Sequence, residues 1–211
     1  MTDLKAQFVT LEGSEGAGKT TAMHVITECL DAWQVPYITS REPGGEYNAE
    51  QIRELLLHSE HLDAKTELLL MFAARNEHLV KVIRPALAAG KWVVSDRFVD
   101  ASYAYQGYGR GIEWSNIEFL EQMIVAETQP DLTILMDVDT QVGLERAANR
   151  SVKDRIEKEA MPFFENIKKG YAKRLQAEPH RIKSIDANAN LTAVKNDIVA
   201  VMQAFKNGLN Q

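Results

Sequence analysis

Residues Gly13 to Thr20 read GSEGAGKT, a G-x-x-x-x-G-K-T pattern whose residue types suit one task, holding phosphate. Glycines let main-chain N–H groups turn inward and cradle phosphate oxygens. Gly13, Ser14, Glu15, Gly16, Ala17 and Gly18 would supply that cradle, and the helix that follows presents its positive end to the same anion. Lys19 can reach the β- and γ-phosphates of a nucleoside triphosphate, and the Thr20 hydroxyl can ligate Mg2+. Thr21 is open to two readings, an α-phosphate contact or a polar residue of the first helical turn. Alone, the pattern fits a kinase, a hydrolase, a GTPase switch or a motor. A guanine-reading N-K-x-D element is missing; the Lys195-Asn196 and Lys206-Asn207 pairs stand in a C-terminal helical stretch.

A second anion site is suggested by arginines. Arg41 opens the run Arg41-Glu42-Pro43-Gly44-Gly45, Arg53 follows a helix later, and Asp96-Arg97-Phe98 closes another apolar run. The planar guanidinium fork binds two phosphate oxygens at once. Phe72 and Arg75, one helical turn apart in FAAR, fit either a base-reading pair or a core phenylalanine beside an exposed arginine, and spacing favours the second. Tyr103 to Arg110 (YAYQGYGR) reads equally as a sugar- and base-contacting segment or as an aromatic, glycine-rich loop closing a core. Residues 146–159 form a charged stretch that reads as a mobile, solvated insertion.

These residues need a scaffold. Short runs rich in β-branched residues predict strands at 7–12, 36–40, 91–95, 132–138 and 182–186. Between them, a period near 3.6 predicts helices at 19–33, 48–58, 62–89, 115–127, 142–150, 156–177 and 191–205. The alternation describes an α/β fold, a three-layer arrangement with helices on both faces of a parallel sheet. In such sheets ligands bind at the carboxyl ends of the strands, so Arg41, Asp96 and Arg97 should converge near the phosphate loop. One domain over 1–211 is expected, with neither repeat nor low-complexity linker. The 211 residues are 45% apolar and carry a net charge of -6, which argues against a nucleic-acid polymer as partner. Cys29 is the only cysteine, so an intrachain disulfide and a cysteine metal cage are both excluded. Without a long apolar run or a signal-peptide core at 1–7, the expectation is a cytoplasmic protein that does not cross a membrane.

Taken together, LEGSEGAGKTT at 11–21, REPGG at 41–45, FAAR at 72–75, DRF at 96–98 and AYQGYGRG at 104–111 resemble the bacterial thymidylate kinases. DRIEKE at 154–159, Phe163-Phe164 and Tyr171 extend the match along nearly the whole chain, in the family's order. The resemblance implies a phosphate-loop nucleoside monophosphate kinase with a five-stranded parallel sheet, a short charged lid and a homodimeric assembly. It implies transfer of the ATP γ-phosphate to dTMP with Mg2+, giving dTDP and ADP for dTTP biosynthesis.

Carried over residue by residue, Lys19, Thr20 and the loop backbone would hold ATP phosphates and Mg2+. Glu15 would contact the deoxyribose 3′-hydroxyl. Arg41 and Arg97 would bind the acceptor 5′-phosphate, with Arg53 in the same dTMP-binding set. Phe72 would stack on thymine while Arg75, Ser102 and Gln106 read its polar edge, and Tyr105 would crowd the 2′ position. Asp96 would position Mg2+ or its water, or orient neighbouring arginines. The phosphate loop holds no arginine, which resembles the subclass that carries its catalytic arginine in the lid. Arg150 is then the first choice for the transferring phosphate and Arg155 the next, while Arg146 would stack on adenine. Glu46-Tyr47-Asn48 replaces the family's usual threonine after REPGG, Ala148 and Lys153 stand where more arginine is common, and Ala101 replaces a frequent serine. A kinase for another monophosphate and an ATPase subunit of a larger assembly are the rival readings.

Overall fold

The computed structural model describes residues 5–148 and 154–209. Five parallel strands form one sheet in the order β2-β3-β1-β4-β5: β1 (Phe8–Glu12), β2 (Tyr37–Arg41), β3 (Trp92–Asp96), β4 (Leu132–Asp137) and β5 (Ile182–Asp186). The strands alternate faces with a period of two, and both faces are apolar. Val9, Leu11, Trp92, Val94, Ile134 and Met136 pack on one side against Ala22, Val25, Ile26 and Leu30 of α1 (Lys19–Ala32) and Val194, Ile198 and Met202 of α9 (Leu191–Gly208). Phe8 and Val93 point the other way, into a cluster with Leu68 and Phe72 of α3 (Ala64–His78) and Ile117 of α6 (Trp114–Ile124). Leu135 joins Phe163, Phe164 and Ile167 of α8 (Met161–Ala177) on that same side. Among the described residues no helix is long and apolar enough to cross a membrane.

The order places β1 between β3 and β4, so the chain reverses its winding there. The carboxyl end of β1 is therefore the crevice where the phosphate loop emerges. Strands β2 and β3 run one residue further than their apolar stretches suggest, because Arg41 and Asp96 are paired across the ladder.

Three segments differ from the sequence reading. The expected helix over 62–89 is α3, a π-turn at Leu79–Ile83 and the short α4 (Arg84–Ala88). It starts late because the Asp63 carboxylate caps it, accepting the amides of Lys65 and Thr66. The aromatic segment after Arg97 is wound, as α5 (Val99–Ser102) followed by a π-turn at Tyr103–Gly109. It packs on α8, where a Cβ on Gly170 would come 2.7 Å from Ala104 Cα. Finally, α8 begins at Met161 rather than at Ile156. Ala160 is extended and Pro162 sits in the first turn, while the Asp154 carboxylate holds 154–157 in a turn by accepting the amides of Ile156 and Glu157. The two remaining helices are α2 (Tyr47–His58) and α7 (Thr140–Ala148).

Candidate active site

Gly13, Gly16 and Gly18 hold positive φ values of 138°, 70° and 90°, which side-chain-bearing residues avoid. At Gly16 a Cβ would lie 1.9 Å from the Gly143 carbonyl oxygen, so the loop and α7 touch backbone to backbone. Helix α1 begins at Lys19 behind the N-cap Gly18, which has no side chain to cap it, leaving its first amides for an anion. The Lys19 ammonium donates to the Gly13 and Ser14 carbonyls at 3.1 and 3.2 Å, which arches the loop around its own side chain. Burial, and then the like charge of Arg97, lower the Lys19 pKa to about 8.

A cavity of about 320 Å3 runs from this loop into the space between α2 and α3. Of the residues singled out from sequence, Glu15, Gly16, Ala17, Gly18, Lys19, Thr20, Arg41, Arg53, Asp96, Arg97, Tyr105 and Gln106 line it. Arg97 sits in the left-handed region at φ 72°. Its guanidinium donates to the Gly13 carbonyl (2.8 Å), to the Tyr171 hydroxyl (3.2 Å) and to Glu15 Oε1 (2.9 Å), and it lies 4.7 Å above the Tyr105 ring. The Tyr105 hydroxyl donates to both Glu15 oxygens, so Glu15, Tyr105 and Arg97 form one locked unit. Arg41 pairs with Glu50 at 3.0 Å with its side chain 55% exposed, while Arg53 donates to the Pro43 carbonyl.

Mg2+ is a hard cation that takes oxygen donors. Asp96 Oδ1 is shielded from solvent and has no hydrogen-bond partner, and Asp96 lines the cavity together with Thr20. A shielded carboxylate oxygen without a partner is costly unless a cation meets it. Among the described residues no cluster of three acidic, histidine or cysteine side chains could cage a metal. Mg2+ binds through one or two protein oxygens, substrate phosphates and water, and Thr20 and Asp96 are the cavity residues whose oxygens fit that need.

Several expected residues stand elsewhere. Phe72, Arg75 and Ser102 do not line the cavity. Arg75 corrects the expectation of an exposed arginine, being 1% exposed. The carboxylate of Glu42 at 2.8 Å, the Ser102 hydroxyl at 3.0 Å and the Phe98 carbonyl at 3.0 Å compensate its burial. Its guanidinium also lies 4.6 Å over the Phe72 ring, so the two pack as one layer. Gln106 donates to Glu67, and its carbonyl oxygen is buried without a partner.

Arg155, expected at the nucleotide phosphates, instead donates to the Leu56 carbonyl and to Glu67. The charge of Glu67, already drawn on by Arg110, holds it there. Arg146 is exposed and donates to the Ala187 carbonyl. Thr21 lies in the first turn of α1 away from the cavity, and Ser14 lines a smaller cavity with Asp137, Lys168 and Tyr171. Arg150 lies outside the described residues.

Glu67 and Met71 line the cavity and were not among the residues singled out above. A helical signal for them exists, since Glu67, Met71 and Arg75 recur every fourth residue along one face of α3.

A phosphate loop at the switch point of a parallel sheet, opening on a second cluster of arginines, defines a phosphate-loop kinase of the nucleoside monophosphate type. Comparison with known proteins narrows the class. The thymidylate kinase family model matches residues 11–198. The chain is 48% identical over 197 residues to the thymidylate kinase of Pseudomonas putida (strain F1), covering 92% of this chain and 94% of that one. It is 45% identical over 197 residues to that of Marinomonas sp. (strain MWYL1), covering 92% and 93%. A crystal structure of thymidylate kinase from Ehrlichia chaffeensis superposes with a TM-score of 0.78 at 32% identity, over 93% of this chain and 98% of that one. This chain belongs to the thymidylate kinase family.

Proposed function

We propose that this enzyme transfers the γ-phosphate of ATP to the 5′-phosphate of dTMP, giving ADP and dTDP. The observation that carries the reading is a single cavity with Lys19 and Thr20 at one end and Arg41, Arg53 and Arg97 along its walls. Two anions meeting end to end need this distribution of positive charge inside a chain of net charge -6. The unpartnered Gln106 oxygen supports a pyrimidine with an N–H to donate, since a thymine edge would satisfy it.

The acceptor phosphate is already an anion, so a strong general base is unnecessary. The protein's part is positioning and charge neutralisation. Lys19 would hold the donor phosphates and Arg41, Arg53 and Arg97 the acceptor phosphate. Glu15, fixed by Tyr105 and Arg97, would accept a hydrogen bond from the sugar 3′-hydroxyl. Phe72 and Arg75, packed as one buried layer behind the cavity lining, would support the base-binding wall from behind. Thr20 and Asp96 would hold Mg2+, which supplies charge neutralisation at the transferring phosphoryl group when bound. Arg150 remains the first choice for the lid arginine, and Arg146 would stack on adenine. We also assign a homodimer, supported by exposed Phe119 and Met123 on α6 and Leu69 on the neighbouring α3, and a cytoplasmic location, supported by the single Cys29.

ADP release from Mg-ATP, measured with dTMP, dUMP, dCMP, dGMP or no acceptor, tests the reading. Strong stimulation by dTMP is expected. Turnover without an acceptor would favour an ATPase, and preference for another monophosphate would reassign the substrate.

A further inference from the structure

Glu12, the last residue of β1, is wholly buried and does not line the cavity. A carboxylate in that position must be compensated by donors, and the donors identify what it controls. Oε1 accepts the amide of Phe98 at 2.8 Å and that of Ala101 at 3.3 Å. Oε2 accepts the Tyr171 hydroxyl at 2.8 Å. Both contacts lead to Arg97. The Phe98 amide is the first main-chain group after Arg97, whose φ of 72° is unfavourable for a residue with a side chain. The Tyr171 hydroxyl in turn accepts Arg97 Nη1 at 3.2 Å.

We propose that Glu12 is a positioning residue for the transfer reaction, fixing Arg97 at its main-chain exit through the Phe98 amide and at its guanidinium through Tyr171. The inference rests on the proposed role of Arg97 at the acceptor phosphate. Glu12 also begins the turn into the phosphate loop, because Gly13 follows it and the Gly13 carbonyl accepts both Lys19 and Arg97. One buried carboxylate thus ties the donor loop to the arginine that faces the acceptor. Its isolation from the cavity makes it a positioning group rather than a contact.

Steady-state kinetics with dTMP and ATP varied separately test this in Glu12→Gln, Tyr171→Phe, their double variant and Arg97→Lys. The glutamine keeps an acceptor for the Phe98 amide but offers an N–H toward Tyr171. Tyr171→Phe breaks the same link from the other end and leaves the Glu12 main-chain contacts in place. Each single variant should lower kcat/KM for dTMP about tenfold or more while KM for ATP stays within about twofold. The double variant should fall little below the worse single one, because both cut one linkage. Losses that multiply in the double variant, or that fall equally on both substrates, overturn the linkage. Wild-type kinetics in Glu12→Gln and Tyr171→Phe, with Arg97→Lys impaired, overturn the positioning role alone. Wild-type kinetics in Arg97→Lys overturn the Arg97 reading and the proposal with it. Thermal unfolding of Tyr171→Phe within a few degrees of wild type keeps the kinetic comparison free of folding defects.

Discussion

Lys19 should give nucleotide binding its pH dependence. Its pKa is lowered to about 8 by burial first and by Arg97 second, from an unfolded value of 10.5. Above about pH 8 the free protein loses this proton, and an anionic triphosphate draws it back. Affinity for ATP should therefore fall as pH rises through 8, with net proton uptake on binding. Calorimetry in two buffers of different ionisation heat measures that uptake. The sign for stability is opposite. The folded state binds fewer protons than the unfolded state between 8 and 10.5, so this group's contribution improves as pH rises there. At Asp96 the expectation is separate. Asp96→Asn should raise the Mg2+ concentration for half-maximal rate about tenfold, because a carboxylate that could meet the cation becomes a neutral amide. A Mg2+ titration of turnover checks it.

At the scale of elements, α7 and the phosphate loop constrain each other. A Cβ on Gly143 would stand 2.7 Å from the Glu15 carbonyl. Alanine would favour the helix by about 1 kcal/mol over glycine, yet a clash with main chain cannot be relieved by a side-chain rotation. Gly143→Ala should therefore raise KM for ATP several-fold and lower the melting temperature despite its better propensity, as enzyme assays and a thermal melt would record. Gly16→Ala combines a worse approach with a positive φ and should be more damaging in both measurements. The proposed lid falls between α7 and α8 in the sequence, and its expected arginine has a sharper signature. Arg150→Ala should lower kcat by orders of magnitude with little change in dTMP affinity, measured by turnover and equilibrium binding. An unchanged kcat would shift attention to Arg146, since Arg155 is engaged by Glu67 and the Leu56 carbonyl.

At the scale of the molecule, the apolar residues left outside are as informative as those inside. Phe119 and Met123 are 65% and 61% exposed one turn apart on α6, and Leu69 on α3 is 59% exposed. Charged replacements at Phe119 and Met123 should yield a monomer by light scattering, with the parent protein at twice that mass. The sequence by itself determined the α/β alternation, because strand and helix periods are local properties of side-chain pattern. It determined the phosphate loop too, because eight consecutive residues carry the whole cradle. That Arg41, Asp96 and Arg97 converge on one cavity was legible because carboxyl ends of parallel strands meet at one edge. What Arg75 and Arg155 touch was decided only in three dimensions. Their charges are held by Glu42 and Glu67, which lie 33 and 88 residues away along the chain. The role of Glu12 was equally hidden, since a strand-end glutamate reads as ordinary until Phe98 and Tyr171 are brought against it. Side-chain type and spacing fix local conformation, but the partner of a buried charge is set by which distant segments the packed core brings within hydrogen-bonding distance.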